Sequence, residues 1–158
     1  MSNTSTISVT GWVIALALYA SAAIAADEVN VGPAGVALHG YDPVSYFDPG
    51  RPVQGSKSLS AGHDGAVYFF STRDNLRKFI REPGKYTPAY GGWCSYGVRV
   101  GRKFDADPNA WVIESGKLYL QLDLGTQKVW DKDRLKNIEI ADRLWPSILS
   151  TPAEIRGK

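Results

Sequence analysis

The chain has 158 residues, 44% of them apolar and 22% charged, and its 18 Lys and Arg against 16 Asp and Glu leave a formal net charge of +2. The length suits one domain and the composition supports a buried core, while the near-balance of charge supplies no basic excess for a nucleic-acid backbone. One cysteine and two histidines exclude an internal disulfide, a CxxC motif and any multi-thiolate or three-histidine metal centre built within one chain.

Residues 11–26 carry no charge, fall short of the roughly 20 residues that cross a bilayer, and end in the small-x-small pattern Ala23-Ile24-Ala25. They read as the core of a secretory signal peptide over residues 1–25, although no Lys or Arg precedes them. A buried N-terminal helix and an uncleaved tether are the alternatives. Cleavage predicts a periplasmic or secreted protein with no stable membrane span. In that oxidising compartment an unpaired thiol is buried, metal-linked or open to another molecule. Residues 26–35 read as a leader, 36–149 as the folded unit and 150–158 as a tail.

Residues 36–38 are a brief strand candidate. Asp42 then caps a turn that Pro43 opens, with Val44, Tyr46 and Phe47 inward. A hairpin is predicted from 58–61 and 66–70 around His63-Asp64-Gly65, and the apolar run 66–70 predicts a strand covered on both faces. Ser71-x-x-Asp74 resembles a capping box. Leu76, Phe79 and Ile80 share one face of the helix that follows, with Arg73, Arg77, Lys78 and Arg81 as a solvated surface, until Pro83-Gly84 stops it. Residues 86–101 are ambiguous: Val98 and Val100 alternate as in a strand, whereas Cys94 and Val98 stand four apart as on a helix. Asp107-Pro108-Asn109 reads as a loop, and 111–113 with 118–122 as a second hairpin around Ser115-Gly116. Leu135, Ile138, Ala141, Leu144, Trp145 and Ile148 fit an amphipathic helix whose regular part ends at Pro146. The sum is α+β: a small single domain of short antiparallel strands packed against helices.

Cys94 is the first candidate for chemistry. If Gly92-Trp93 leads into a helix, the thiol sits in its first turn, where free N–H groups and the dipole favour a thiolate. Arg99, Arg102 and Lys103 stand close by in sequence; the alternative is a buried cysteine beside Trp93. His39 adjoins the Gly40-Tyr41-Asp42 turn, where Asp42 would orient its imidazole. His63 reads as an ordinary surface histidine. A cluster of His39, Asp42 and Cys94 would suit zinc or copper, since a thiolate argues against magnesium or calcium. Tyr41, Trp93 and Tyr96 are candidate ligand-binding aromatics, with a place in the core as their alternative. No GxSxG elbow, P-loop, dinucleotide fingerprint, HExxH or EF-hand motif occurs, which leaves a Cys-His dyad as the catalytic option.

GYDPVSYF at 40–47, YFFS at 68–71, FIREPGKYTPAYGGWCSYGV at 79–98, DPNAWVIESGKLYL at 107–120 and ADRLWP at 141–146 resemble the YHS-domain family. The resemblance is to its longer, exported bacterial branch of mostly uncharacterised proteins, and it extends over residues 36–149. It implies a compact α+β unit. Short YHS domains attached to heavy-metal-transporting ATPases raise the expectation of metal binding through cysteines, but the positions matching their three thiols are Ser45, Ser71 and Asn75 here. Cys94 belongs to the GGWC segment instead. Three readings follow. The first is an exported YHS-like protein that binds copper or zinc through Cys94, with His39 and Asp42 as weaker ligands. The second is a non-catalytic module for a protein partner or small ligand, with Cys94 in the core. The third is a thiol-dependent enzyme.

Overall fold

A computed structural model describes residues 28–32, 34–48 and 50–154; the expected signal peptide lies outside the described residues. Both predicted hairpins form. β1 (Ser56–His63) pairs antiparallel with β2 (Ala66–Phe70), and β3 (Asp107–Glu114) with β4 (Lys117–Gln121). Each hairpin turns on two residues of positive φ, Asp64-Gly65 at 47° and 75° and Ser115-Gly116 at 50° and 75°, a backbone whose twist matches that of the strands it joins. β2 departs from expectation on one face. Ala66, Tyr68 and Phe70 are buried, but Val67 is 36% exposed, because a two-stranded sheet leaves much of its second face uncovered. Asp107-Pro108-Asn109, expected as a loop, opens β3. The loop signal survives locally: Asp107 Oδ1 accepts from the Asn109 backbone N–H at 2.8 Å, within the stretch where the strand register shifts.

The helices follow from caps and buried faces. α1 (Arg73–Arg81) is capped by Thr72, whose Oγ1 accepts from the Asn75 N–H at 3.0 Å, one residue later than the Ser71 box. Its buried side chains are Asn75 and Phe79, and Ile80 is 62% exposed instead of inward. The face centred on Asn75 and Phe79 points to the core, which rotates Ile80 outward. Pro83 opens the single-turn helix α2 (Pro83–Tyr86), and α3 (Ser95–Arg99) resolves the ambiguous segment as helix around the fully buried Val98. α4 (Leu124–Trp130) starts at Asp123, whose carboxylate accepts from the Thr126 N–H at 2.7 Å. α5 (Arg134–Ile148) runs through Pro146 instead of losing its regularity there.

β4 stands between two cores. Leu118 and Leu120 join Val44, Tyr46, Tyr68, Phe70 and Phe79, while Tyr119 joins Trp93, Val98, Trp130, Ala141 and Ile148. Strand alternation sends the leucines to one core and the tyrosine to the other, so both faces of β4 are buried. The architecture is a small α+β single domain, as predicted. No helix among the described residues is long and apolar enough to cross a membrane.

The packed unit extends past both expected boundaries. Val29 is 7% exposed, Asn30 N–H donates to Gly91 O at 2.9 Å, and Val31 bridges Ala37. After α5, Ala153 packs on the second core and the Glu154 N–H donates to Lys103 O at 2.8 Å. The leader and tail readings rest on side-chain polarity, whereas backbone hydrogen bonds hold both segments.

Candidate functional site

Asp42 sits at the N-cap of the 3-10 turn Pro43–Tyr46, with Pro43 in its first position as predicted. It is fully buried. Oδ1 accepts from the Val44 N–H at 2.9 Å; Oδ2 accepts from the Ser71 N–H at 2.8 Å, the Ser71 hydroxyl at 2.6 Å and Asn75 Nδ2 at 2.7 Å. The Ser45 hydroxyl donates to the Asp42 carbonyl at 2.7 Å and accepts from the Val53 N–H at 3.1 Å. Ser45, Ser71 and Asn75 therefore do meet, but around a carboxylate. Burying a carboxylate is tolerable when donors replace its water in this way. With both oxygens taken, Asp42 neither orients His39 nor serves as a metal ligand; it pins the turn to the start of α1.

Cys94 is the N-cap of α3 and 1% exposed. Its sulfur accepts from the Leu122 N–H at 3.2 Å and the Gly97 N–H at 3.4 Å, and the thiol donates to Gln121 Oε1 at 3.8 Å. Burial pushes the thiol pKa up and outweighs the N–H groups of Gly97, Leu122 and Tyr96 that favour a thiolate. The expected activation at a helix N-terminus is thus reversed by desolvation. Arg99 and Lys103, expected to assist it, donate to Asn137 and to the Leu149 carbonyl. Cys94 ties α3 to the end of β4 as a core residue.

The donor set does not fit a metal. His39, Asp42 and Cys94 each bond to different partners, and no group of three or more His, Cys, Asp or Glu among the described residues could hold a metal ion. Zinc or copper would need several converging ligands.

His39 finds its carboxylate 66 positions along the chain: Nε2 lies 2.9 Å from Asp105 Oδ1. Leu38, His39 and Gly40 have φ of 54°, 52° and 81°, a left-handed run that costs about 1 kcal/mol at each non-glycine residue. Hydrogen bonds hold it: Gly40 N–H to Ala37 O at 3.0 Å, Tyr41 N–H to Leu38 O at 2.9 Å and Gly55 N–H to Gly40 O at 2.9 Å. Burial of Leu38, 4% exposed, offsets the rest. Asn30 reaches the same carboxylate oxygen, donating from Nδ2 to Asp105 Oδ1 at 2.8 Å and to Gly92 O at 3.2 Å. The Ala106 N–H supplies a third donor at 2.8 Å. No donor among the described residues reaches Asp105 Oδ2.

The pair is half-open, with side-chain exposure of 50% for His39 and 57% for Asp105. Burial would raise the Asp105 carboxyl, but the hydrogen bonds from His39 and Asn30, with the imidazolium charge, hold it down at about 2. The same bond to Asp105 raises the His39 pKa against partial burial, and the charges of Asp105 and Asp107 add to it. Opposite shifts describe a charged pair. It borders a cleft of about 320 Å³ that is also lined by Ala106, Asp107, Pro108 and Leu122. Leu122 is held through its N–H by the Cys94 sulfur, so the thiol supports the cleft wall from behind. The cleft offers a carboxylate oxygen, an imidazole and an aliphatic wall. That set suits hydrogen-bonded recognition.

Sequence reasoning found His39 but missed Asn30 and Asp105. Asn30 lies in a short polar strap with no local signal, whereas Asp105 was discoverable as another acid available to His39. Of the expected ligand-binding aromatics, Trp93 is buried in the second core and the other two pack, partly buried, against the cores. Tyr41 packs against the first core and Tyr96 against the second. Trp93, 7% exposed, lies under the Lys103 ammonium, 5.6 Å from the ring centroid. None of the three lines the cleft. Compared with known proteins, the chain matches no family model, no curated protein and no solved structure.

Proposed function

We propose that the chain is an exported, YHS-like binding module, without catalysis of its own, that takes a small polar ligand in the His39–Asp105 cleft. The observation that carries this reading is Asp105, with three donors fixing one oxygen and no described donor on the other. A carboxylate held this way is preorganised, so a ligand hydrogen bond to it loses little to ordering. The matching ligand has an N–H for Asp105 Oδ2, a polar atom for the second imidazole nitrogen, and an apolar part for Ala106, Pro108 and Leu122. A small carboxamide has all three. Support also comes from the strap, the GYDP turn and the GGWC turn, which meet at this carboxylate through Asn30 and His39. Export rests on the signal-like residues 1–25, and the family on the motifs. The sealed sulfur of Cys94 argues for the core reading of that residue over soft-metal or thiol chemistry.

The test is a ¹⁵N NMR titration with acetamide, propionamide and benzamide, using methyl benzoate as the control that lacks N–H. Benzamide is expected to shift the Ala106, Asp107 and Leu122 amides saturably and methyl benzoate is not. His39→Ala and Asp105→Asn should each weaken binding about tenfold. No saturable shift with any of the three amides, or an equal response to the ester, would overturn the reading.

A further inference from the structure

Charge is uneven along the chain. Residues 73–85 hold five Lys or Arg against two Asp or Glu, a net +3 that exceeds the +2 of all 158 residues. Residues 123–139, by contrast, hold four of each sign. The basic excess sits on the outer face of α1 and α2. Asn75 and Phe79 turn to the core, and a helix of about 3.6 residues per turn sets Arg73, Arg77 and Arg81 on the opposite side, in a row about 12 Å long. All three are exposed, as is Lys85 on α2. Lys117 joins them at the far end, its Nζ donating to the Gly84 carbonyl at 3.4 Å. Arg77 pairs with Asp74. No carboxylate among the described residues is within ion-pair distance of Arg73, Arg81 or Lys85.

Ile80 is a second, independent observation. It is 62% exposed and lies on this same face, three residues from Arg77 and beside Arg81. An aliphatic side chain set among guanidinium groups matches a surface that is anionic outside and apolar just beneath. A soluble polyanion would meet the charges but offer nothing to the isoleucine, so the pairing favours a lipid surface over an acidic protein or a nucleic acid.

We propose that this face docks on an anionic phospholipid bilayer, with Arg73, Arg77 and Arg81 taking lipid phosphates and Ile80 entering the headgroup boundary. A guanidinium donates to two phosphate oxygens at once, and cations within a Debye length of an anionic leaflet act together. A straight row on a capped helix fits a plane without reordering, since Thr72 and the buried Phe79 already fix α1. Surface contact of this kind requires no membrane-crossing helix, and none of these residues lines the His39–Asp105 cleft.

The test uses vesicles of phosphatidylcholine, alone or with about one-third phosphatidylglycerol, and the full chain carrying Ile80→Cys labelled with a polarity-sensitive fluorophore. Cys94 is 1% exposed and escapes the label in the native chain. The uncharged run 11–26 is common to every variant, so binding is read as the ratio of anionic to neutral vesicles. The fluorophore is expected to brighten on the anionic vesicles and hardly on the neutral ones, less so as salt rises. Arg73→Gln, Arg77→Gln and Arg81→Gln together keep good helix formers in α1 and should lower that ratio at least about tenfold. Lys128→Gln, Lys132→Gln and Lys136→Gln together remove the same charge from the opposing region and should leave it unchanged. Ile80→Ser in the unlabelled chain should weaken vesicle pelleting about threefold. The proposal is overturned if neutral vesicles brighten the label equally, if the two triple variants behave alike, or if soluble poly-glutamate brightens it as much as the anionic vesicles do.

Discussion

Asp42 and Asp105 are both carboxylates wrapped in hydrogen-bond donors, and each joins segments far apart in the chain. Asp42 is fully buried, and Val44, Ser71 and Asn75 occupy both of its oxygens. Asp105 is 57% exposed at the side chain, and its described donors all fall on Oδ1. The first arrangement uses all the bonding capacity of the carboxylate for folding. The second keeps half of it, beside a histidine held in a left-handed turn by backbone hydrogen bonds and the burial of Leu38. Saturation, more than charge or residue type, separates the structural acid from the one proposed for recognition. Cys94 sits on the structural side of that line: its sulfur is sealed and already bonded to two N–H groups.

The comparison is broken most easily at Asp42. Asp42→Asn would turn an amide donor toward the Ser71 and Asn75 donors, and should lower the unfolding free energy by about 3 kcal/mol in denaturant melts. A loss below about 1 kcal/mol would show that the buried knot is not the clamp described. Gly91→Ala comes next. Its Cβ would collide with the Glu28 carbonyl at a φ of 61°, releasing the strap and taking Asn30 off Asp105. About 2 kcal/mol of stability should be lost, with faster hydrogen exchange at the Asn30 amide; unchanged exchange there would contradict the strap's role.

Cys94 sharpens the contrast through reactivity. Iodoacetamide should label the native chain at least about a hundredfold more slowly than the chain in denaturant, and Cys94→Ala should cost about 1 kcal/mol. Rapid native labelling would return the thiol to the list of reactive groups.

The smallest effect is the pH dependence of the open pair. His39 is raised above its ordinary 6.5, so its contribution is full below about pH 6.5 and is lost as pH climbs through the folded value. Asp105 is held at about 2 against an ordinary 3.8, so its contribution is full above about pH 3.8 and is lost as pH falls toward 2. The pair is therefore strongest between these limits, and solvent screening of two half-exposed groups keeps it to about 0.5 kcal/mol. Asp105→Asn should bring the NMR-measured His39 pKa down toward 6.5; an unmoved value would mean that another group sets it.

Much of the fold was legible because its signals are local. Asp64-Gly65 and Ser115-Gly116 mark their turns, Asp42-Pro43 marks its cap, and the spacing from Ile138 to Ile148 marks α5, although Leu135, expected on the same apolar face, is 69% exposed. The site was half legible. His39 stood out, but its nearest acid in sequence was Asp42, and the left-handed backbone at residues 38–40 carries the imidazole to Asp105 instead. A helix start at Cys94 would favour a thiolate and its aromatic neighbours a buried thiol; the two-core packing that decides for burial depends on contacts between β4, α3 and α5, which no local pattern contains. No local pattern in residues 28–32 marks Asn30 for a similar reason, since its partners are Gly91, Gly92 and Asp105.

The most direct test of the division between sealed and open carboxylates reads stability and binding together in Asp105→Asn. The account predicts an unfolding free energy within about 1 kcal/mol of the parent and loss of the benzamide-induced shifts at Ala106, Asp107 and Leu122. A stability loss matching that of Asp42→Asn, with benzamide shifts intact, would contradict it.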